Sequence, residues 1–172
     1  RERALFSGIA TLSDEALAHS AEQWLLPLLG KVNRLRDVAP SGLAQALDNV
    51  LGWDARARID QIAPASFKSP AGTEHSIDYA AEAGPTVELR VQALFGLDTH
   101  PLIGSTPLLL KLTSPGGRPV QSTRDLPGFW RGSWRDVVKD MKGRYPKHRW
   151  PDQPWLEKPS MKTKNAFNRS DS

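Results

Sequence analysis

The stretch Pro107-Leu108-Leu109-Leu110-Lys111-Leu112-Thr113, followed by Ser114-Pro115-Gly116-Gly117 and then by Val120-Gln121-Ser122-Thr123-Arg124, decides the fold class. A short apolar run bounded by Pro and Gly suits a buried strand. The Pro-Gly-Gly group supplies a turn, and the return from Val120 to Arg124 reads as its hairpin partner. Immediately downstream the period changes from two to 3.6. Asp125 stands as an N-cap and Pro127 is tolerated in the first turn. Trp130, Trp134, Val137, Val138 and Met141 then recur as one apolar stripe that must pack on the sheet, and Gly143 is placed to end the helix. Arg131, Arg135, Lys139 and Lys142 form a basic ridge beside that stripe.

Upstream the texture is helical. Ser13 can cap a helix carrying Leu17, Ala21, Trp24, Leu25 and Leu28, with Pro27 kinking or ending it. Ser41 can cap a second helix through Leu51, which Gly52 stops, and Asp54 a third through Ile62. After the Pro- and Ser-rich stretch from Pro64 to Gly72, His75, Ile77 and Tyr79 alternate like a half-buried strand. Residues 86–96 fit two periods: Val87, Leu89 and Val91 alternate, while Val87, Val91, Leu94 and Phe95 fit a helix closed by Gly96. Helix is the reading adopted. The expected fold is therefore α+β: N-terminal helices, a small and mainly antiparallel sheet, and a C-terminal amphipathic helix packed on it. An OB-like barrel with flanking helices is the alternative. The expected divisions are a helical segment over 1–63, an α+β domain over 64–156, and a disordered basic tail over 157–172.

Composition bounds the function. The 172 residues are 39% hydrophobic and 24% charged, in the ordinary globular range. No uninterrupted apolar run exceeds three residues, against the roughly 20 needed to span a bilayer. No cysteine is present, which excludes disulfides and thiolate metal sites. The chain opens on Arg1-Glu2-Arg3 with no signal-peptide block behind it, so it reads as cut from a longer polypeptide, and a cytoplasmic setting is expected. The net charge of +4 is uneven: residues 1–117 carry 10 Lys/Arg against 13 Asp/Glu, or −3, whereas 118–172 carry 13 against 6, or +7. Such clustering is the electrostatic footprint of a phosphate-binding surface, and equally of a solvated basic face.

Catalytic signatures are missing. Gly30-Lys31-Val32 lacks the glycine spacing and hydroxyl of a P-loop. Asp14-Glu15-Ala16-Leu17-Ala18-His19 reads as an N-capped helix rather than an acidic helicase box. His19, His75, His100 and His148 are scattered along the chain and indicate neither a zinc site nor a hydrolytic triad, and no Gly-x-Ser-x-Gly elbow occurs. No catalytic or metal-binding residue is expected.

The run from Pro107 through Val120, Thr123-Arg124-Asp125-Leu126 and Phe129-Trp130, continuing through Met141-Lys142-Gly143-Arg144-Tyr145-Pro146-Lys147-His148 to Trp150-Pro151-Asp152, resembles the C-terminal region of HrpB-type ATP-dependent RNA helicases. Trp24-Leu25-Leu26-Pro27, Leu51-Gly52-Trp53 and Leu94-Phe95-Gly96 agree with it upstream, so the resemblance covers about Trp24 to Asp152. It implies a superfamily 2 DExH motor preceding this chain, with ATP and Mg as cofactors of the full-length helicase and none in this chain. It carries over no catalytic residue. RNA and the upstream lobes of the same polypeptide are the implied partners, and no membrane is implied.

Two functions follow as alternatives. In the first, Arg118, Arg124, Arg131, Arg135, Lys139, Lys142, Arg144, Lys147, His148 and Arg149 hold phosphates while Tyr145 or Trp150 stacks on a base, as single-stranded RNA is commonly gripped. In the second the region is a docking module for the helicase lobes or a partner protein, with Trp and Arg as anchors. The bland reading keeps its place beside both: Arg144 and Lys147 can solvate a helix end, Arg118 can pair with Asp125, and Tyr145 and Trp150 can cover the sheet edge.

Overall fold

The computed structural model describes residues 1–30, 32 and 34–170, and the chain divides into two compact units, Arg1–Ala65 and Ser66–Ser172. The first unit is all-helical: α1 (Glu2–Phe6), α2 (Asp14–His19), α3 (Ala21–Trp24), α4 (Leu26–Leu29), α5 (Pro40–Leu51) and α6 (Trp53–Ile62). Ser13 caps α2, its hydroxyl accepting from Ala16 N at 3.2 Å. The single helix expected from Ser13 to Pro27 is broken into α2, α3 and α4. At the first break the Ser20 hydroxyl donates back to Ala16 O at 2.8 Å, and at the second Pro27 brings no backbone N–H. Helix α5 begins one residue before Ser41, because Pro40 is preset for the first helical position and Ala39 takes the N-cap. Likewise α6 follows directly on Gly52 without a cap from Asp54. Buried Ala4, Leu12 and Ile59 form the small core of this unit, with Ile9, Leu17, Leu47, Val50 and Leu51 packed around them. Ion pairs Arg1–Asp14, Arg3–Asp60 and Arg56–Asp48, each at 2.5 Å, tie its surface.

The second unit holds β1 (Ser66–Lys68), β2 (Glu74–Ser76), β3 (Thr86–Arg90), β4 (Leu102–Ile103), β5 (Thr106–Pro107), β6 (Leu109–Thr113) and β7 (Pro119–Thr123), then α7 (Leu126–Arg131), α8 (Trp134–Arg144) and α9 (Lys164–Ser170). Strands β1 and β2 form one antiparallel pair and β4 and β5 another. The main sheet has the order β3-β6-β7, with β6–β7 the expected hairpin and β3 parallel to β6. No closed barrel forms among the described residues, and the fold is α+β.

Residues 86–96 are a strand followed by one 3₁₀ turn, Val91–Leu94, not a helix. Both periods were genuine, since Val87, Leu89, Val91, Leu94 and Phe95 are all buried. Pairing decides between them. Val87 opposes Leu110 and Leu89 opposes Leu112, so β6 gains a second neighbour and its apolar run is covered on both edges.

The apolar stripe packs as expected, with Trp130, Trp134, Val138 and Met141 buried. It lies on two helices, because Gly132 (φ −106°, ψ −102°) separates α7 from α8. Asp125 caps α7, accepting from Gly128 N at 3.0 Å, and Ser133 at the break donates to Gln121 of β7 at 2.7 Å. Trp134, 0% exposed, sits at the centre of an aromatic cluster with Phe95, Phe129, Trp130 and Trp150, at centroid distances of 5.2 to 6.0 Å. Edge-to-face geometry dominates, as the ring quadrupoles prefer.

Residues 157–170, expected to lack order, dock instead. The buried Arg149 guanidinium pairs with Glu157, donates to Lys158 O at 3.0 Å, and lies 3.7 Å from the Phe167 ring of α9. Gly96, at φ 85°, is required where it stands: a Cβ there would meet Glu157 O at 2.8 Å.

Candidate nucleic-acid interface

A cleft of about 570 Å³ runs along α8 in the second unit. One wall is α8 itself, presenting Arg135, Lys139 and Lys142 at i, i+4 and i+7, which is one face of a helix. The other is the segment Asp152, Gln153 and Trp155. Trp134 and Val138 lie between the walls.

The second wall is anchored at several points. Trp134 Nε1 donates to Pro151 O at 2.8 Å, and Gly96 N donates to Pro154 O at 2.9 Å. Arg131 places its guanidinium 4.5 Å from the centroid of the half-buried Trp155 ring. Arg131 is itself fixed, donating from both terminal nitrogens to the Asp98 carboxylate at 2.7 and 2.9 Å. That hydrogen bond holds the Asp98 carboxyl below the usual range and raises the guanidinium in turn.

The four residues of the basic ridge are therefore not equivalent. Arg131 is committed to Asp98 and Trp155. Lys139 approaches Asp136 at 3.4 Å, both side chains being mostly solvated, a pairing of small energy. Arg135 and Lys142 have no ion pair among the described residues and are exposed. Unpaired cations beside an aromatic face can hold phosphates with no prior bond to break.

Other candidates lie outside this cleft. Trp150 is buried, with Nε1 donating to Tyr145 O at 3.0 Å, and Arg149 is buried in its own ion pair; neither presents its side chain to solvent. The Tyr145 hydroxyl accepts from Ser114 Oγ at 3.2 Å beneath the β6–β7 turn, and its ring meets His148 edge-on at 6.2 Å. Partial burial and then Arg90 push the His148 imidazole below its ordinary pKa. Arg144 pairs with Asp140 at 3.1 Å, and Arg124 donates to Ala83 O. Arg118 and Lys147 are exposed, and Arg118 does not pair with Asp125. Sequence reasoning did not place Asp152, Gln153 or Trp155 among the candidate site residues, although Asp152 closes the run that carries the family resemblance. Their signal was weak, since Trp155 stands where periodicity stops and the tail was expected to begin. Among the described residues no cluster of His, Asp or Glu could hold a metal ion, and no helix is long and apolar enough to cross a membrane.

Residues 24–154 match the HrpB_C family, described as the ATP-dependent helicase C-terminal region. The chain belongs to this family. It is 43% identical over 155 residues to the ATP-dependent RNA helicase HrpB of Escherichia coli (strain K12), covering 89% of this chain and 19% of that protein. Its structure is similar to a crystal structure of the E. coli DExH-box NTPase HrpB, with TM-score 0.80, 40% identity, and 94% of this chain covered against 21% of that one. A crystal structure of the Escherichia coli DEAH/RHA helicase HrpB gives TM-score 0.64 and 38% identity, with 87% and 20% covered. The chain thus spans about a fifth of the length of the relatives it matches. The HrpB_C match takes in all of α8, Asp152 and Gln153, and ends just before Trp155.

Proposed function

We propose that this HrpB_C region supplies a single-stranded RNA grip to an ATP-dependent helicase motor elsewhere in its polypeptide. The observation that carries the reading is the α8 cleft, where the unpaired cations Arg135 and Lys142 and the solvated Lys139 face Trp155. The three cations span about 10 Å of helix at ~1.5 Å per residue, a length that more than one phosphate can occupy. Basic grooves with an aromatic platform bind single strands through backbone charge and base stacking. The name of the E. coli relative, an ATP-dependent RNA helicase, agrees with RNA as the ligand.

The test is binding of the chain to fluorescent single-stranded RNA across a salt series, beside the triple variant Arg135→Gln, Lys139→Gln, Lys142→Gln. Each lost single-strand phosphate contact should lower the salt slope by about 0.7, so the variant's slope should fall by about 2. Trp155→Ala should weaken binding about five- to a hundredfold at any salt. A folded chain that binds no RNA at low salt refutes the reading.

One observation favours docking as a second function. In the first unit Trp53 is 82% exposed and Leu26 57%, the kind of apolar side chains that protein interfaces bury. Trp53→Ala should then weaken assembly with the helicase lobes while leaving RNA binding by the chain unchanged.

A further inference from the structure

The RNA grip leaves Asp152 unexplained. It is exposed, has no ion pair among the described residues, and stands on the wall opposite three cations. A carboxylate repels phosphate, so the Asp152–Trp155 wall cannot track the RNA backbone while α8 does. If the backbone follows Arg135, Lys139 and Lys142, the bases turn toward Trp155, and their edges meet Asp152 and Gln153.

An ionised carboxylate only accepts hydrogen bonds, and its two oxygens suit a pair of adjacent donors. Guanine alone carries two adjacent donors on its Watson–Crick edge, N1–H and the N2 amine, with the O6 acceptor beside them. Adenine and cytosine each offer one exocyclic amine next to a ring acceptor, and uracil offers one N–H between two carbonyls. The Gln153 amide can donate to O6, completing a set that the other bases do not match. The platform for such a base is held in place: the Asp98–Arg131 pair fixes the guanidinium beside Trp155, and Trp134 holds the wall at Pro151 O.

We propose that the α8 cleft reads unpaired guanine, with Trp155 stacking on the base, Asp152 accepting from N1–H and N2–H, and Gln153 donating to O6. The proposal rests on the RNA-grip reading. Specificity then comes from the 152–155 wall and affinity from α8, a division between base and phosphate contacts that nucleic-acid sites commonly show.

The experiment measures binding of the chain to labelled oligo(U) carrying one central G, inosine, A, C or U. A bidentate base contact is worth about five- to a hundredfold, so the G oligomer should bind tighter than the all-U oligomer by that factor. Inosine, which lacks the N2 amine, should lose most of the gain. Asp152→Asn should reduce the G preference to within about twofold while leaving the salt slope unchanged. Equal binding of all five by the wild type overturns the proposal and leaves the grip standing. So does an Asp152→Asn variant that tightens on every oligomer equally, which would make Asp152 a simple repulsive charge. Absence of binding to any of them overturns both.

Discussion

The Gly116–Tyr145 contact gives a prediction whose sign depends on one hydroxyl group. A Cβ at Gly116 would stand 2.6 Å from the Tyr145 hydroxyl and 3.4 Å from its two nearest ring carbons, and Gly116 does not adopt a positive φ. In open space Gly→Ala would stabilise by about 0.4–1 kcal/mol through the unfolded chain. Here the ring must tilt, which sacrifices the 3.2 Å hydrogen bond from Ser114, worth about 1 kcal/mol, and adds overpacking of about 1–3 kcal/mol. Gly116→Ala should therefore cost a net of about 1–3.5 kcal/mol. In a Tyr145→Phe background the clashing oxygen is gone, and the same change should be neutral or stabilising by about 0.5 kcal/mol. The coupling, about 1–4 kcal/mol, is read from a double-mutant cycle of urea unfolding midpoints at constant m. Additivity within about 0.5 kcal/mol would show that Tyr145 does not lie beneath the turn, and would return its ring to the list of candidate base-stacking groups.

Arg149→Met leaves Glu157 without its partner and removes the ring contact with Phe167, so it should destabilise by about 2–4 kcal/mol in chemical denaturation, whereas exposed Arg135→Gln should stay within about 0.5 kcal/mol. Equal effects would mean that Arg149 is not buried in an ion pair. The side-chain amide of Gln92, 4% exposed, has no hydrogen-bond partner among the described residues, so Gln92→Leu should be neutral or stabilise by up to about 1–2 kcal/mol; a lower thermal midpoint would contradict this. His100 bridges the fold as a neutral ring: Nε2–H donates to Leu108 O at 2.8 Å while Nδ1 accepts from Leu126 N at 3.1 Å. Partial burial lowers its pKa, against the opposing pull of the Leu108 bond and Asp125. The unfolded chain then takes up the proton first, so this stabilisation is complete above about pH 6.5 and is lost as pH falls through the lowered folded value. The thermal midpoint should drop between about pH 7 and 5, and His100→Gln should flatten part of that slope, with His75 and His148, both also lowered by burial, accounting for the remainder.

Much of this fold was legible because local signals agreed with tertiary demands. The β6–β7 hairpin, the Ser13 and Asp125 caps and the buried tryptophan stripe each had a pattern and a turn residue pointing the same way. Residues 86–96 were not legible, since burying every apolar residue satisfies both periods and only pairing with β6, distant in sequence, breaks the tie. The helix break at Gly132 was hidden by a stripe whose spacing continues across it. For the candidate site, the cations of α8 followed from helical spacing, but nothing local marks Arg131 as occupied by Asp98 or Arg149 as buried. Charge runs show where cations are and not which of them already have partners. The opposite wall was missed for a related reason, because a loop that gains its order from Trp134 and Gly96 carries no period of its own.

The docked C-terminal segment separates two kinds of boundary. The family match ends at residue 154, and a chain cut there would keep every strand and all of α8. It would also take Glu157, the Lys158 carbonyl and Phe167 away from the Arg149 guanidinium together, opening to water a charge that the intact chain holds in a buried ion pair against aromatic rings. The sequence family therefore closes earlier than the contacts that enclose Arg149, and a recombinant version trimmed to the family limits would lack the far half of that enclosure.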